Sequence, residues 1–302
     1  MAIKGIPVYL YGMETMTVIV TGATRGLGRL VAEGAALRGA RVVLACRDPL
    51  RGAEARDAIA AKAAAAAATG GATAPPPELL VLDLASLASV RRAAEEARAR
   101  FPRIDVLVNN AGTFSRHYSE SKDGFELSMA TNYLGPFLFT RLLLPAMTPA
   151  GRIVNLSSDA YPWGKASLGK PARGGVWSGF MNYAASKRAI LQFTLALAAR
   201  EARRGPEGLR VNALHPGVVR TEIMRMRTWY GFIVDLILAP FFQPPDEGVG
   251  MILALALSEA FADASGGYYR KGRREAPRKA VAEAGRLEEL WEESSRLVGL
   301  EP

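Results

Sequence analysis

The sequence has one cysteine, Cys46, and two histidines among 302 residues. A lone cysteine excludes an internal disulfide framework and suits a reducing compartment. Two histidines are too few for a histidine-built metal centre, so no metal is expected. No apolar run reaches the ~20 residues that a bilayer-spanning helix needs. Residues 1–16 carry one lysine and a short, broken apolar stretch, which reads as a surface arm rather than a secretory signal. The expected location is the cytoplasm or the cytosolic face of a membrane, with no anchor or signal peptide visible.

Acidic residues are the minority: 29 Asp and Glu stand against 38 Lys and Arg, a net charge of +9. That excess favours anionic partners such as a phosphorylated cofactor, an anionic membrane surface or nucleic acid. No basic stretch is interleaved with aromatics as a nucleic-acid motif requires, so nucleic acid is not expected. The basic residues are spread out except for Arg270, Lys271, Arg273, Arg274, Arg278 and Lys279, which read as a solvated basic tail.

What is present is apolar residue in quantity, 49%, enough for one full core. Strand and helix patterns alternate from Thr17 to about Gly267 without a break. They predict an α/β fold: one Rossmann-type doubly wound domain over 17–270, with a mainly parallel sheet of about seven strands and helices on both faces. A basic segment and a terminal amphipathic helix, 280–297, follow in 271–302.

The first unit, Thr17 to Asp48, organises the rest. Thr17 to Thr21 is β-branched and apolar, as a buried strand requires. Gly22, Gly26 and Gly28 follow, then a helical pattern ending at Gly39, then a second strand from Arg41 to Ala45. Strand, glycine turn, helix and strand make a βαβ unit with a phosphate loop at its first turn. Gly22 permits the sharp turn, Gly26 removes a Cβ where backbone meets pyrophosphate, and Gly28 lets the helix approach the sheet. The helix that opens at Leu27 offers free N–H groups and a positive dipole end to an anion.

An acidic side chain just past the second strand would hold the 2′-hydroxyl of NAD. Here Ala45-Cys46 is followed by Arg47, and Arg25 in the glycine loop, beside Thr24, reaches the same region. Two guanidinium groups suit a 2′-phosphate, so NADP(H) is favoured over NAD(H). Asp48 is one residue late for the ribose and also reads as a helix cap.

Further along, Pro49 to Ala68 is an alanine-rich helix running into a flexible linker of turn formers at 69–77. A third strand, Glu78 to Leu82, ends at Asp83-Leu84; Asp83 either accepts from an adenine amino group or caps a helix. Ser86 is placed to cap the helix Leu87 to Arg100. The fourth strand, Ile104 to Val108, ends in Asn109-Asn110-Ala111-Gly112, a small amide-rich turn at the sheet edge where open α/β sheets bind ligands. A helix over Gly124 to Met147 contains Asn132, an unfavourable residue mid-helix unless its side chain has a partner. Strand five, Gly151 to Leu156, ends at Ser157-Ser158.

Tyr183 and Lys187 open a long apolar helix reaching Arg200, and at i and i+4 they share one face. An ammonium beside a phenol favours the phenolate and lowers its pKa. Strand six, Leu209 to Leu214, leads into a loop, Pro216-Gly217 through Val219 and Thr221, that can cover a nicotinamide. His215 reads as structural. Residues 229–242, WYGFIVDLILAPFF, hold one charge, Asp235. Within a segment 220–245 they read either as an apolar lid over a greasy substrate or as a patch making peripheral membrane contact.

Taken together, Thr21-Gly22-Ala23-Thr24-Arg25-Gly26-Leu27-Gly28, Asp83-Leu84, Asn109 to Gly112, Asn132, Ser158, Tyr183 with Lys187, and Pro216-Gly217 resemble the short-chain dehydrogenase/reductase family. The Leu-Ala-Cys-Arg-Asp run at 44–48 and the long gap between Ser158 and Tyr183, an insertion over 163–178, are most similar to its retinol-dehydrogenase-like branch. The alanine-rich insert departs from that pattern, as does the lack of a visible membrane anchor.

The resemblance implies an NAD(P)-dependent oxidoreductase, moving hydride between nicotinamide and an apolar alcohol, aldehyde or ketone of retinoid, steroid or polyprenol type. It implies Tyr183 as acid or base, Lys187 as its electrostatic partner and ribose holder, Ser158 on the carbonyl oxygen and Asn132 holding a water toward solvent. Ser157 is the other serine for that role. It also implies pairing through the helices around Asn132 and Tyr183, as a homodimer or homotetramer. Two readings without turnover stand beside it, a dinucleotide-binding regulatory protein and a membrane-surface protein.

Overall fold

The computed structural model describes residues 16–165, 168, 171, 173, 176–217 and 245–302. Its frame is an eight-stranded sheet in the order β3-β2-β1-β4-β5-β6-β7-β8. The strands are β1 Thr17–Thr21, β2 Arg41–Cys46, β3 Glu78–Val81, β4 Ile104–Asn109, β5 Met147–Leu156, β6 Arg210–His215, β7 Tyr268–Arg270 and β8 Arg273–Glu275. All neighbouring strands pair parallel except β7 and β8. Strand order reverses between β1 and β4, which places a ligand crevice at the carboxyl ends of those two strands.

Side chains alternate across the strands and feed two cores. Ile19 and Val43 face one of them, with Phe137, Phe193 and Trp291; Val18, Val20, Val42 and Leu44 face the other, with Val31 and Ile252. Both faces of the sheet are therefore covered, which is why β1 reads as an unbroken apolar run rather than an alternating one. Helices α1 Gly26–Ala36, α2 Pro49–Ala68 and α7 Pro245–Leu257 contribute to the second core, while α3 Leu87–Arg100, α5 Gly135–Leu143 and α6 Val176–Ala202 contribute to the first.

Local chemistry sets the helix starts. Asp48 caps α2, its Oδ1 accepting from the N–H groups of Leu50 and Arg51 at 3.0 and 3.2 Å, with Pro49 at the first helical position. Despite its alanines, α2 buries only Gly52, Ala55, Ile59 and Ala63, one stripe along its length. Ser86 caps α3 by accepting from Ser89 N.

Four sequence expectations need correction. The helix over 124–147 is not continuous: a single turn, α4 Leu127–Met129, passes into a π-helical turn Ala130–Leu134 and then α5, and Met147 already belongs to β5. The helix bearing Tyr183 starts at Val176, about two turns early, because nothing between Val176 and Tyr183 breaks it. The terminal helix divides at Glu283 into α8 Lys279–Ala282 and α9 Ala284–Leu297. The basic tail is no free tail: Arg270 ends β7, and Arg273 and Arg274 form β8, which turns back on β7 through Lys271 and Gly272, both at positive φ. Repulsion within the basic run is offset by Asp159 and Glu275, which both pair with Arg270.

Helix α9 lies on α5 and α6. Its Trp291 packs edge-on to Phe137, stacks on Phe193, and is flanked by the guanidinium groups of Arg141 and Arg200, 4.5 and 3.9 Å from the indole. No described helix is long and apolar enough to cross a membrane.

Candidate active site

Parallel strands all release the chain at one edge of the sheet, and the residues singled out from the sequence collect there. Gly22, Thr24 and Arg25 follow β1, Arg47 follows β2, and Asp83 and Leu84 follow β3. Asn110, Ala111 and Gly112 follow β4, Ser158 follows β5, and Pro216 and Gly217 follow β6. Val219, Thr221, the stretch 229–242 and nearly all of the expected lid lie outside the described residues.

The glycine loop and the Asn-Asn-Ala-Gly turn are built against each other. Thr21 Oγ1 accepts from the N–H groups of Asn110 and Ala111, both at 3.0 Å, and Asn110 Nδ2 donates to the Thr21 carbonyl at 2.8 Å. A Cβ on Gly22 would stand 2.9 Å from Ala111 Cα, and one on Gly28 would stand 2.3 Å from Asn110 Nδ2. The third glycine therefore packs against this turn and not only against the sheet. Gly26 differs: its φ is +58°, and a Cβ there would meet nothing within 4 Å.

Helix α1 begins at that open side. Arg25 at its N-cap makes no side-chain cap bond, and the first turn holds no acidic residue. Free N–H groups, the positive dipole end and unobstructed backbone fit the pyrophosphate of a dinucleotide. Arg25 and Arg47 are both exposed at this end of the crevice. Asp48 has its carboxylate on the α2 N-terminus. Asp83 Oδ1 accepts from Ala85 N at 3.1 Å, which fixes the turn after β3 and leaves the helix cap to Ser86.

Asn109, the first residue of the turn, is structural. Its Nδ2 donates to Asn155 Oδ1 and Thr140 Oγ1, and Asn155 Nδ2 donates to Thr194 Oγ1, a buried polar ladder from α5 through β4 and β5 to α6. Asn132 answers the question posed by its unfavourable position: it sits in the π-helical turn, and its amide has partners. Oδ1 accepts from Thr113 N at 2.7 Å, while Nδ2 donates to the Thr113 carbonyl and to Ser186 Oγ. One lone pair of Oδ1 stays uncommitted among these bonds. A Cβ on Gly112 would lie 3.5 Å from both Asn132 Oδ1 and Lys187 Nζ, so this glycine stands between them.

The Ser158 side chain acts on the Tyr183 phenol and tends to lower its pKa. Phe114 meets its ring edge-on, and Lys187 Nζ lies 5.8 Å from the ring centroid. Lys187 is buried and donates to the Leu156 carbonyl at 2.8 Å. Burial lowers the Lys187 pKa to about 8. Burial also pushes the Tyr183 phenol up, with Ser158 acting the other way. Desolvation is the larger influence on the phenol here, and the Lys187 ammonium is bonded to a carbonyl.

The family resemblance favours Ser158 over Ser157, and the two serines have different surroundings. Ser157 Oγ donates to the Lys187 carbonyl at 2.8 Å and is buried, whereas Ser158 is half-buried and acts on the Tyr183 phenol. What sequence reading missed is the neighbour on the other side, Asp159, which meets Tyr268, Arg270 and His215. Over a hundred residues separate Asp159 from Arg270, and no motif spacing links them.

The family model described as short chain dehydrogenase matches residues 16–229. Among curated relatives, human retinol dehydrogenase 14 is 36% identical over 299 residues, covering 95% of this chain and 88% of its own. The crystal structure of an uncharacterised protein from Mycobacterium paratuberculosis superposes with a TM-score of 0.75 at 30% identity, covering 100% of this chain and 98% of that one. A blue fluorescent protein from a metagenomic library, solved in complex with NADPH, gives a TM-score of 0.63 at 26% identity, covering 84% of this chain and 94% of that one.

Proposed function

This chain belongs to the short-chain dehydrogenase family, and on that premise we propose an NADP(H)-dependent oxidoreductase that interconverts an apolar alcohol and its aldehyde or ketone. The observation that carries the reading is a buried Lys187 with its Nζ 5.8 Å from the centroid of the Tyr183 ring, a phenol on which Ser158 acts, at the sheet edge where the open Gly26 cradle starts α1.

The first turn of α1 holds the pyrophosphate, and Arg25 and Arg47 hold the 2′-phosphate. Pro216 and Gly217, with Val219 and Thr221, cover the nicotinamide end. When bound, the dinucleotide supplies or accepts the hydride. Ser158 donates to the substrate oxygen and stabilises the charge that grows on it. Tyr183 gives that oxygen its proton in reduction and removes it in oxidation. A phenol that burial keeps protonated is poised as the acid. Lys187 carries its charge at neutral pH, since its pKa of about 8 is still above 7. One of its N–H bonds goes to Leu156, leaving others for the nicotinamide ribose and for a water. Asn132 Oδ1, across Gly112, is the second support for that water, and so Lys187 and Asn132 resupply the proton from solvent.

The apolar substrate class is supported by the similarity to retinol dehydrogenase 14 and by the apolar stretch 229–242, read as a lid. The test is consumption of NADPH and of NADH by the purified chain with retinals, steroid ketones, polyprenals and small aldehydes. Turnover of the bulky carbonyls, faster with NADPH, is expected. No turnover of any of them overturns the reading.

A further inference from the structure

Asp159 follows Ser158 directly, and two groups from β7 hold its carboxylate. Oδ2 accepts from Arg270 Nε at 2.7 Å, and Oδ1 accepts from the Tyr268 hydroxyl at 3.1 Å. His215 Nε2 lies 3.5 Å from Oδ2. Tyr268 and Arg270 are two apart on β7 and so project to the same side. His215 closes β6 and stands opposite Arg270 in the register. One carboxylate therefore ties the turn after β5 to β7, with the His215 ring at the end of β6 beside it.

The turn that carries Ser158 leans on the same element a second time. Ser158 Oγ accepts from Ala160 N at 3.2 Å, and its carbonyl accepts from Tyr161 N at 3.0 Å. Tyr161 in turn packs edge-on against Tyr268 at 5.3 Å, and its hydroxyl accepts from Arg278 N at 3.3 Å. The hairpin β7–β8 and the residues after it thus brace the serine turn from outside the crevice. A hydroxyl that must meet both Tyr183 and a substrate oxygen needs its backbone fixed to within about half an ångström.

Resting on the role given to Ser158 above, we propose that Asp159, clamped by Arg270 and Tyr268, is a positioning residue that sets where the Ser158 hydroxyl stands. Stability is not its main contribution. The Asp159 and Arg270 side chains are 36% and 38% exposed, and ion pairs that open to water add little to folding. Variants at either position are therefore expected to fold.

The experiment uses the full chain, NADPH, and all-trans-retinal or whichever carbonyl the wild type turns over fastest. Asp159→Ala is expected to bind NADPH within about twofold of wild type while kcat falls by roughly ten- to a hundredfold, the scale of a misplacement near 1 Å. Asp159→Asn keeps the shape and the Tyr268 bond, and is expected to lose less. Arg270→Ala is expected to fall in the same direction.

Two readouts separate positioning from mere structure. In Ser158→Ala/Asp159→Ala the loss should not exceed that of Ser158→Ala alone, because the second change acts only through the first. The basic limb of the kcat profile should move upward in Asp159→Ala, as in Ser158→Ala, since both weaken the action of Ser158 that tends to lower the Tyr183 pKa. Unchanged kcat in Asp159→Ala and Asp159→Asn, or losses that multiply with Ser158→Ala, would overturn the proposal. A wild-type chain without turnover would instead overturn the function on which it rests, and this inference with it.

Discussion

The Ser157 hydroxyl donates to the main-chain carbonyl of Lys187 at 2.8 Å, fastening the end of β5 to the helix that carries Tyr183. Its neighbour Ser158 is left to face Tyr183. Adjacent serines on a strand end point to opposite sides, so only one of them reaches the crevice. Ser157→Ala should cost about 1 kcal/mol of stability with kcat within a few-fold. Ser158→Ala should cost about 10²–10³ in kcat with little loss of stability. Denaturant titration and steady-state kinetics on the two variants check the contrast; equal kinetic losses would contradict it.

Tyr183→Phe removes the hydroxyl proposed to exchange a proton with the substrate oxygen, yet keeps the ring that Phe114 packs against. Turnover should vanish while NADPH binding, followed by fluorescence titration, stays within a few-fold. Normal turnover would refute the role.

Arg47 stands exposed past β2 where a 2′-phosphate would lie. Arg47→Asp should move the ratio of kcat/KM for NADPH over NADH toward NADH, by roughly ten- to a hundredfold if one charge-assisted contact of about 1.5–3 kcal/mol is lost. An unchanged ratio would make Arg47 a bystander.

Lys187 has its folded pKa lowered to about 8 from 10.5 by burial. Below pH 8 both folded and unfolded chains hold the proton, and burying the charge costs stability. From pH 8 upward the folded chain releases it while the unfolded chain keeps it, so stability rises with pH in that window. The buried Cys46 thiol, pushed up from 9.0, opposes this only above pH 9. Between pH 8 and 9, wild type should gain on the order of 1 kcal/mol relative to Lys187→Met. Denaturant melts of both proteins at the two pH values measure it; a constant difference would contradict it.

Trp291 fixes α9 to α5 and α6 by packing on Phe137 and Phe193, between two guanidinium groups. Trp291→Ala should cost about 3–5 kcal/mol, as a buried aromatic replaced by a methyl does. A thermal melt shifted by only a degree or two would mean that α9 adds little to the fold.

Local signals carried much of this protein. Asp48 with Pro49, and Ser86 before a helical stripe, wrote the starts of α2 and α3 where they are found. The π-helical turn at Asn132 was not legible, because it differs from an α-turn by one residue, and the partners of Asn132, Thr113 and Ser186, lie elsewhere in the sequence. The basic run after Tyr269 misled for a similar reason. Charge density reads as solvation unless the counter-charge is visible, and Asp159 is far away along the chain.

The sequence by itself determined the order of strands and helices, the glycine loop and the residue types at every strand end, since each rests on periodicity, caps and turn chemistry within a few neighbours. Only the tertiary structure decided that Ser157 is spent on the Lys187 carbonyl, that burial raises the Tyr183 phenol, and that Asp159 joins the serine turn to β7. Those outcomes depend on distance and desolvation between groups remote along the chain, and neither is encoded in local spacing.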